Sequence, residues 1–401
     1  MVCDLVFEGG GVKGVAFIGA LAALESADIQ PKRLLGSSAG AIMATLVAAG
    51  YRSDQLYKAF TERTEDGSLK MAAFTDPPGP FSAETLQNSS WAAILQAIDV
   101  PLVPESAEQR VDHVLLRGLT ALPGAKQLFS LVEAGGLYAG NAFLHWMEAQ
   151  LDDMDGLGKA TLADMYEHTE VELTVTAADV TDKRLMILNH RTAPNLPVAM
   201  AVRMSMSAPF YWQEVVWDAA WGTYRDNDVT GHAIVDGGVL ANFPIELLLS
   251  SKQFVIDIMG TPSNQVIGLL LDDATPVPNQ PALSTAIRTP SRLLNRSINL
   301  LEMLMQANAK DILEAYADKV IRLPAGGYRS FDFSLDTNRL NALIDAGEAA
   351  TITYLATAPA LRPIDARSII ADTHQIDAIV AKWLGESATF EEPSATQRAA
   401  N

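Results

Sequence analysis

The chain has 401 residues, 49% of them hydrophobic, enough to bury the core of one large α/β unit or of two domains. A formal charge of −19 and a pI near 4.7 argue against a nucleic-acid partner and against electrostatic capture by an anionic membrane. A single cysteine, Cys3, leaves no intramolecular disulfide and no Cys-rich metal site.

In chain order, VCDLVF reads as a short buried strand, followed by the glycine run Gly9, Gly10, Gly11 and a helix from about Val12 to Ser26. Pro31 opens a segment in which KRLLGSS forms a strand entering a tight turn. A second apolar helix runs from Ala39 to about Ala49 and stops at Gly50 as at a C-cap. Strand–loop–helix–strand–turn–helix order implies parallel pairing and a three-layer α/β core. Residues 61–140 differ in character: Pro77, Pro78, Pro80, Pro101, Pro104 and Pro123 interrupt helical pieces such as WAAILQAI and VDHVLLRGL, which suggests an inserted helical cap, with further helices on the sheet face as the alternative.

From Leu162 the core resumes, with VELTVTAADV and RLMILNH as consecutive strands and VAMAVRMSMSAPF as a small-residue helix running into a proline break. FYWQEVVW and HAIVDGGVLANFPI suggest a hairpin ending in a turn; QFVIDIMG and VIRLP suggest later strands, with helices around 290–318 and 336–357. The division expected is a catalytic core over 1–260, a C-terminal α/β extension over 261–385 packed on it, and a disordered polar tail over 386–401. No basic segment precedes an apolar run at the start, and VAFIGALAAL and AIMATLVAAG fall far short of the roughly 20 residues that span a bilayer. A cytoplasmic protein is expected, with secretion by a non-classical route as the alternative.

Gly36-Ser37-Ser38-Ala39-Gly40 is a G-x-S-x-G at a strand-to-helix junction. Such a turn projects the Ser38 oxygen above a sheet, and the helix behind it aims its N-terminal N–H groups at the same spot. The glycine run admits three readings. As a P-loop it fails, because Val15 and Ala16 follow Gly14 where Lys and Ser/Thr are required. As a dinucleotide loop, Gly9, Gly11 and Gly14 satisfy G-x-G-x-x-G, with Glu25 or Asp28 as the ribose contact, but GSSAG is left unexplained. As an oxyanion hole, glycine N–H groups beside Ser38 account for both motifs. None of His113, His145, His168, His190, His232 and His374 sits in a serine-hydrolase context; Asp236, in VDGGVLANFP, is displayed rigidly at a strand end and becomes a usable base if burial raises its pKa.

GGGVKG, GSSAG and DGG in that order, together with SMSAPFYWQEV and DGGVLANFP, resemble the patatin-like phospholipases, lipid acyl hydrolases with a Ser–Asp dyad, over about residues 4 to 258. The resemblance implies a three-layer α/β/α patatin-like fold with a mainly parallel central sheet. Ser38 takes the nucleophile's position and Asp236 the base's; Gly9, Gly10, Gly11 and Gly14 take the oxyanion loop's, Gly36 and Gly40 frame the nucleophile elbow, and Lys13 fills the loop's basic position. The implied chemistry is hydrolysis of a lipid or acyl-ester substrate with no metal or organic cofactor and no nucleic acid. Peripheral contact with a lipid interface would use apolar side chains, with Trp91, Trp212, Trp217 and Trp221 as candidates unless they complete the core. An oxidoreductase using Gly9–Gly14, and an interaction or effector protein on a hydrolase-like scaffold, are the alternatives.

Overall fold

The computed structural model describes residues 1–97, 124–280, 292–306, 315–333, 335–357 and 373–385. The helical piece VDHVLLRGL and the tail 386–401 lie outside them. The strands are β1 (Val2–Phe7), β2 (Gln30–Ser37), β3 (Gly136–Tyr138), β4 (Glu172–Asp179), β5 (Arg184–Leu188), β6 (Phe210–Trp212), β7 (Val215–Val216), β8 (Ala233–Asp236), β9 (Val266–Pro276) and β10 (Val320–Gly326). The helices that frame the site are α1 (Ala16–Ser26), α2 (Ala39–Ala48), α3 (Val198–Ser205), α4 (Arg292–Gln306) and α5 (Thr337–Thr357).

An eight-stranded sheet runs β10-β9-β1-β2-β4-β8-β7, with β5 also paired to β4. The pairs from β10 across to β4 are parallel, and those of β5, β7 and β8 are antiparallel. Alternation along the strands splits the core in two. Leu5, Phe7, Leu34, Ile267 and Leu269 join one apolar cluster, while Val6, Leu35, Val266 and Leu270 join another on the opposite face. Helices cover both clusters, so the three-layer α/β/α fold is present. The segment after residue 260 supplies β9, which pairs with β1, and β10 beyond it.

One expected strand is a helix. QFVIDIMG forms the helix Gln253–Met259, because Val255 and Met259 bury one side at i, i+4 spacing and Gly260, at φ 80°, ends the helix; the strand is the next apolar run, VIGLLLDDATP. Short apolar runs carry too few periods to separate the two.

β4 sets the geometry that matters most. Its residues 175–176 pair with both β5 and β2, and 177–179 with both β5 and β8. A strand has two edges, so β2 and β8 share one edge of β4 and meet end to end. Ser37 pairs with Thr176 and Asp236 with Ala177, the next residue. Two segments about 200 residues apart in sequence are thereby abutted at Ser38 and Asp236.

Candidate active site

Ser38 lies between the end of β2 and the start of α2, with φ 51° and ψ −120°. That backbone costs a non-glycine residue roughly 1–3 kcal/mol and persists only where the surroundings hold it. Here the Ser38 N–H donates to Ser205 Oγ at 2.9 Å, at the end of α3. Ser37 Oγ donates to the Ala241 carbonyl at 2.9 Å and accepts from Thr176 Oγ1 at 2.5 Å. The two framing glycines are sterically required: a Cβ at Gly36 would overlap the Gly40 carbonyl, and one at Gly40 the Phe7 carbonyl.

Asp236 closes β8 and is fully buried. Its N–H donates to the Ser207 carbonyl at 3.0 Å, and its Oδ1 accepts the Gly238 N–H at 2.8 Å. Oδ2 is buried without a full hydrogen bond. Burial raises the carboxyl pKa to about 7, against the opposing pull of the Ser38 hydroxyl and then of the Gly238 N–H.

The glycine run leaves β1 and enters a short 3-10 turn, Gly11–Val15. The Gly9 N–H is spent on the Asn242 carbonyl at 3.1 Å, and the Val12 N–H on the Ser330 carbonyl at 2.9 Å. The N–H groups of Gly10 and Gly11 have no hydrogen bond among the described residues. Gly11 has φ 59°, and a Cβ there would overlap the Ser330 carbonyl. Gly14 lies within the 3-10 turn, where a Cβ would come within 2.9 Å of Ala39 Cβ, so its glycine lets the loop sit against the start of α2.

Residues far along the chain brace this loop. Asn242 Nδ2 donates to Gly9 O at 3.0 Å and to Glu8 Oε1 at 3.2 Å, and the Leu271 N–H donates to Glu8 Oε2 at 2.7 Å. Burial raises the Glu8 pKa to about 8, opposed first by the Leu271 N–H and then by the Lys13 charge. Lys13 is buried and pairs with Asp273 at 2.8 Å, and Gln306 Nε2 donates to the same carboxylate. Sequence reasoning missed Ser205, Asp273 and the bracing role of Asn242: their partners lie at least 167 residues away in the chain, and no local pattern marks them.

Ser38, Asp236 and the glycine loop open into one cleft of about 930 Å³, its mouth included. Met43, Phe74, Phe143, Trp212, Phe331 and Phe333 give it apolar walls. No described histidine lines it. Glu25, the ribose-contact candidate, instead accepts from Ser53 N and Ser53 Oγ, both at 2.9 Å. Trp212 and Trp217 are buried and their indole N–H groups bond the Phe74 and Gly222 carbonyls at 2.8 and 2.9 Å, so they complete the core. Among the described residues Asp179, Asp182 and His232 could gather a cation, their ligand atoms lying within 4.8 Å of one another. Arg184 already pairs with both carboxylates, at 3.3 and 3.2 Å, and the group does not line the cleft.

A family model for patatin-like phospholipase matches residues 5–249. The chain belongs to the patatin-like phospholipases. This patatin-like chain is 28% identical over 366 residues to the uncharacterized protein YqhO of Bacillus subtilis, covering 88% of this chain and 98% of that one. It is 33% identical over 103 residues to a cUMP-AMP-activated phospholipase of Escherichia coli, covering 24% of this chain and 32% of that one. Among solved structures it is similar to VipD from Legionella pneumophila, at 16% identity and TM-score 0.48, covering 89% of this chain and 67% of that one. No helix among the described residues is long and apolar enough to cross a membrane.

Proposed function

We propose that this patatin-like protein hydrolyses carboxylic esters of lipids through a dyad of Ser38 and Asp236. The observation that carries the reading is the abutment on β4, which sets a buried, proton-avid carboxyl against a serine held in the elbow backbone, beside two unspent N–H groups. With a pKa of about 7, Asp236 accepts a proton near neutrality and can return it.

Asp236 takes the Ser38 hydroxyl proton as Oγ attacks the ester carbon, and the N–H groups of Gly10 and Gly11 receive the oxyanion. As the tetrahedral intermediate collapses, the ester C–O bond breaks and Asp236 passes its proton to the leaving alcohol. Water then attacks the acyl-enzyme, giving its proton to Asp236, and the acid leaves as Ser38 recovers its hydrogen. The apolar walls suit an acyl chain, and the absence of side chains on the glycine loop leaves room for the carbonyl.

The test compares wild type, Ser38→Ala and Asp236→Asn on p-nitrophenyl esters and on phospholipids, together with fluorophosphonate labelling. Each variant is expected to lose activity by about 10³-fold or more, with label carried by Ser38 alone. Near-wild-type hydrolysis by both variants, or labelling of another residue, would overturn the dyad.

A further inference from the structure

Helix α4 lies at the rim of the cleft and has two apolar faces. On the inner face Ile298 and Leu301 are buried, and Met305 packs on Gly238, two residues beyond Asp236. On the outer face Leu300, Met303 and Leu304 occupy i, i+3 and i+4 positions and are 52%, 62% and 51% exposed. The helix packs against β6 and the Gly238–Ala241 turn, which carry the exposed Phe210 and Leu240. Leu300, Met303, Leu304 and, on the adjoining β6, Phe210 thus face water on elements that wall the cleft, whereas Leu240 opens on a separate hollow beside Arg184 and Trp383. Scattered single residues of this kind are ordinary; a group around a cleft mouth is not.

The charge pattern says what covers them. The chain carries 48 acidic residues, yet none occurs between Asp273 and Glu302, where Arg288, Arg292 and Arg296 stand instead. Glu302 itself is half-buried and lines the cleft, while Arg296 is exposed one turn before Leu300. A basic helix with an apolar outer face is the pattern of an element lying in the plane of a lipid interface, arginine at phosphate level and apolar side chains below it.

We propose that the outer face of α4 seats the protein on a phospholipid bilayer, with Leu300, Met303 and Leu304 entering the acyl boundary and Arg296 meeting phosphate. The proposal rests on the lipid-hydrolase reading and deepens it: the helix that walls the cleft also lays its mouth against the substrate's own surface. It also reverses, for this one surface, the expectation drawn from the net charge, since membrane electrostatics act within about 10 Å at ordinary salt.

The test is co-sedimentation of full-length protein with phosphatidylcholine vesicles, with and without phosphatidylglycerol. It uses wild type, Ser38→Ala, the triple variant Leu300→Ser/Met303→Ser/Leu304→Ser, and Arg296→Glu. Wild type and Ser38→Ala should bind alike, and better with phosphatidylglycerol. The triple variant should bind about tenfold or more weakly and hydrolyse vesicle lipid correspondingly slowly, while cleaving soluble p-nitrophenyl butyrate at the wild-type rate. Arg296→Glu should abolish the gain from phosphatidylglycerol. Wild-type sedimentation by the triple variant, or no sedimentation of wild type, overturns the proposal. So does a fall in solution mass from dimer to monomer on the triple substitution, which would give the face to a second copy. Vesicle binding without cleavage of either substrate leaves the docking face standing and removes the hydrolase reading instead.

Discussion

The two halves of the candidate site differ in how much of their shape is local. On the serine side, β2, the turn and α2 run consecutively and Gly36 meets Gly40 within the turn, while Phe7 of the neighbouring strand closes on Gly40. On the glycine side, the loop has almost nothing local to hold it: its braces are Asn242, Leu271, Asp273 and Ser330, between 233 and about 320 residues away. The serine turn is laid out by a contiguous strand–turn–helix and then held by Ser205, Thr176 and Ala241, whereas the glycine loop takes its shape almost wholly from remote residues.

The sharpest way to break that contrast is Gly11→Ala. The new methyl meets the Ser330 carbonyl at a positive φ, so the loop must shift, and hydrolysis is expected to fall about 10²-fold or more. Fluorophosphonate labelling of Ser38 should survive far better than turnover, because the elbow stays intact. Unchanged turnover would remove this loop from the oxyanion role.

A smaller effect, about 10–100-fold in kcat with little change in KM, is expected for Asp273→Asn, which strands the buried Lys13 charge under the loop. The double variant Asp273→Asn/Lys13→Met should recover part of that loss, since an uncompensated buried charge costs more than a missing pair. Strictly additive losses in this cycle would mean that the ion pair does nothing for the loop.

The mildest probe is pH. Activity on a soluble ester should rise as Asp236 loses its proton near pH 7 and fall again as Glu8 ionises near pH 8, placing negative charge behind the oxyanion donors. Glu8→Gln should erase the alkaline fall and leave the rise in place. Both carboxyls hold their protons more tightly folded than unfolded. Their contribution to stability is therefore complete below about pH 4, declines as pH climbs through their folded values, and is flat above. Melting temperatures that rose between pH 5 and 9 would contradict both assignments.

How far the sequence could be read follows the same division. GSSAG joins an apolar strand end to an apolar helix that stops at Gly50, so Ser38 and its framing glycines were legible as a unit. Asp236 was legible because VDGG ends an apolar strand, although its fit against Ser38 needed the register of β4, which no local pattern encodes. The glycine loop was legible as a place where the chain turns sharply, but which of its N–H groups are spent depends on Asn242 and Ser330. QFVIDIMG misled because a short apolar run fits a strand and a half-buried helix equally well. The tryptophans suggested an interface by residue type alone, whereas the exposed apolar side chains of α4 emerge only when its two faces are told apart in three dimensions.

The pairing of β1 with β9 also fixes when the glycine loop can take its final shape. Translation delivers Ser38 and later Asp236 to the ribosome exit well before residue 271, whose N–H Glu8 requires, and before Ser330, on which the Gly11 turn rests. Contacts so distant in sequence cannot form until the intervening chain has emerged. Nascent chains therefore carry the Ser38 turn and Asp236 while the glycine loop still lacks the contacts from Leu271 and Ser330 that shape it.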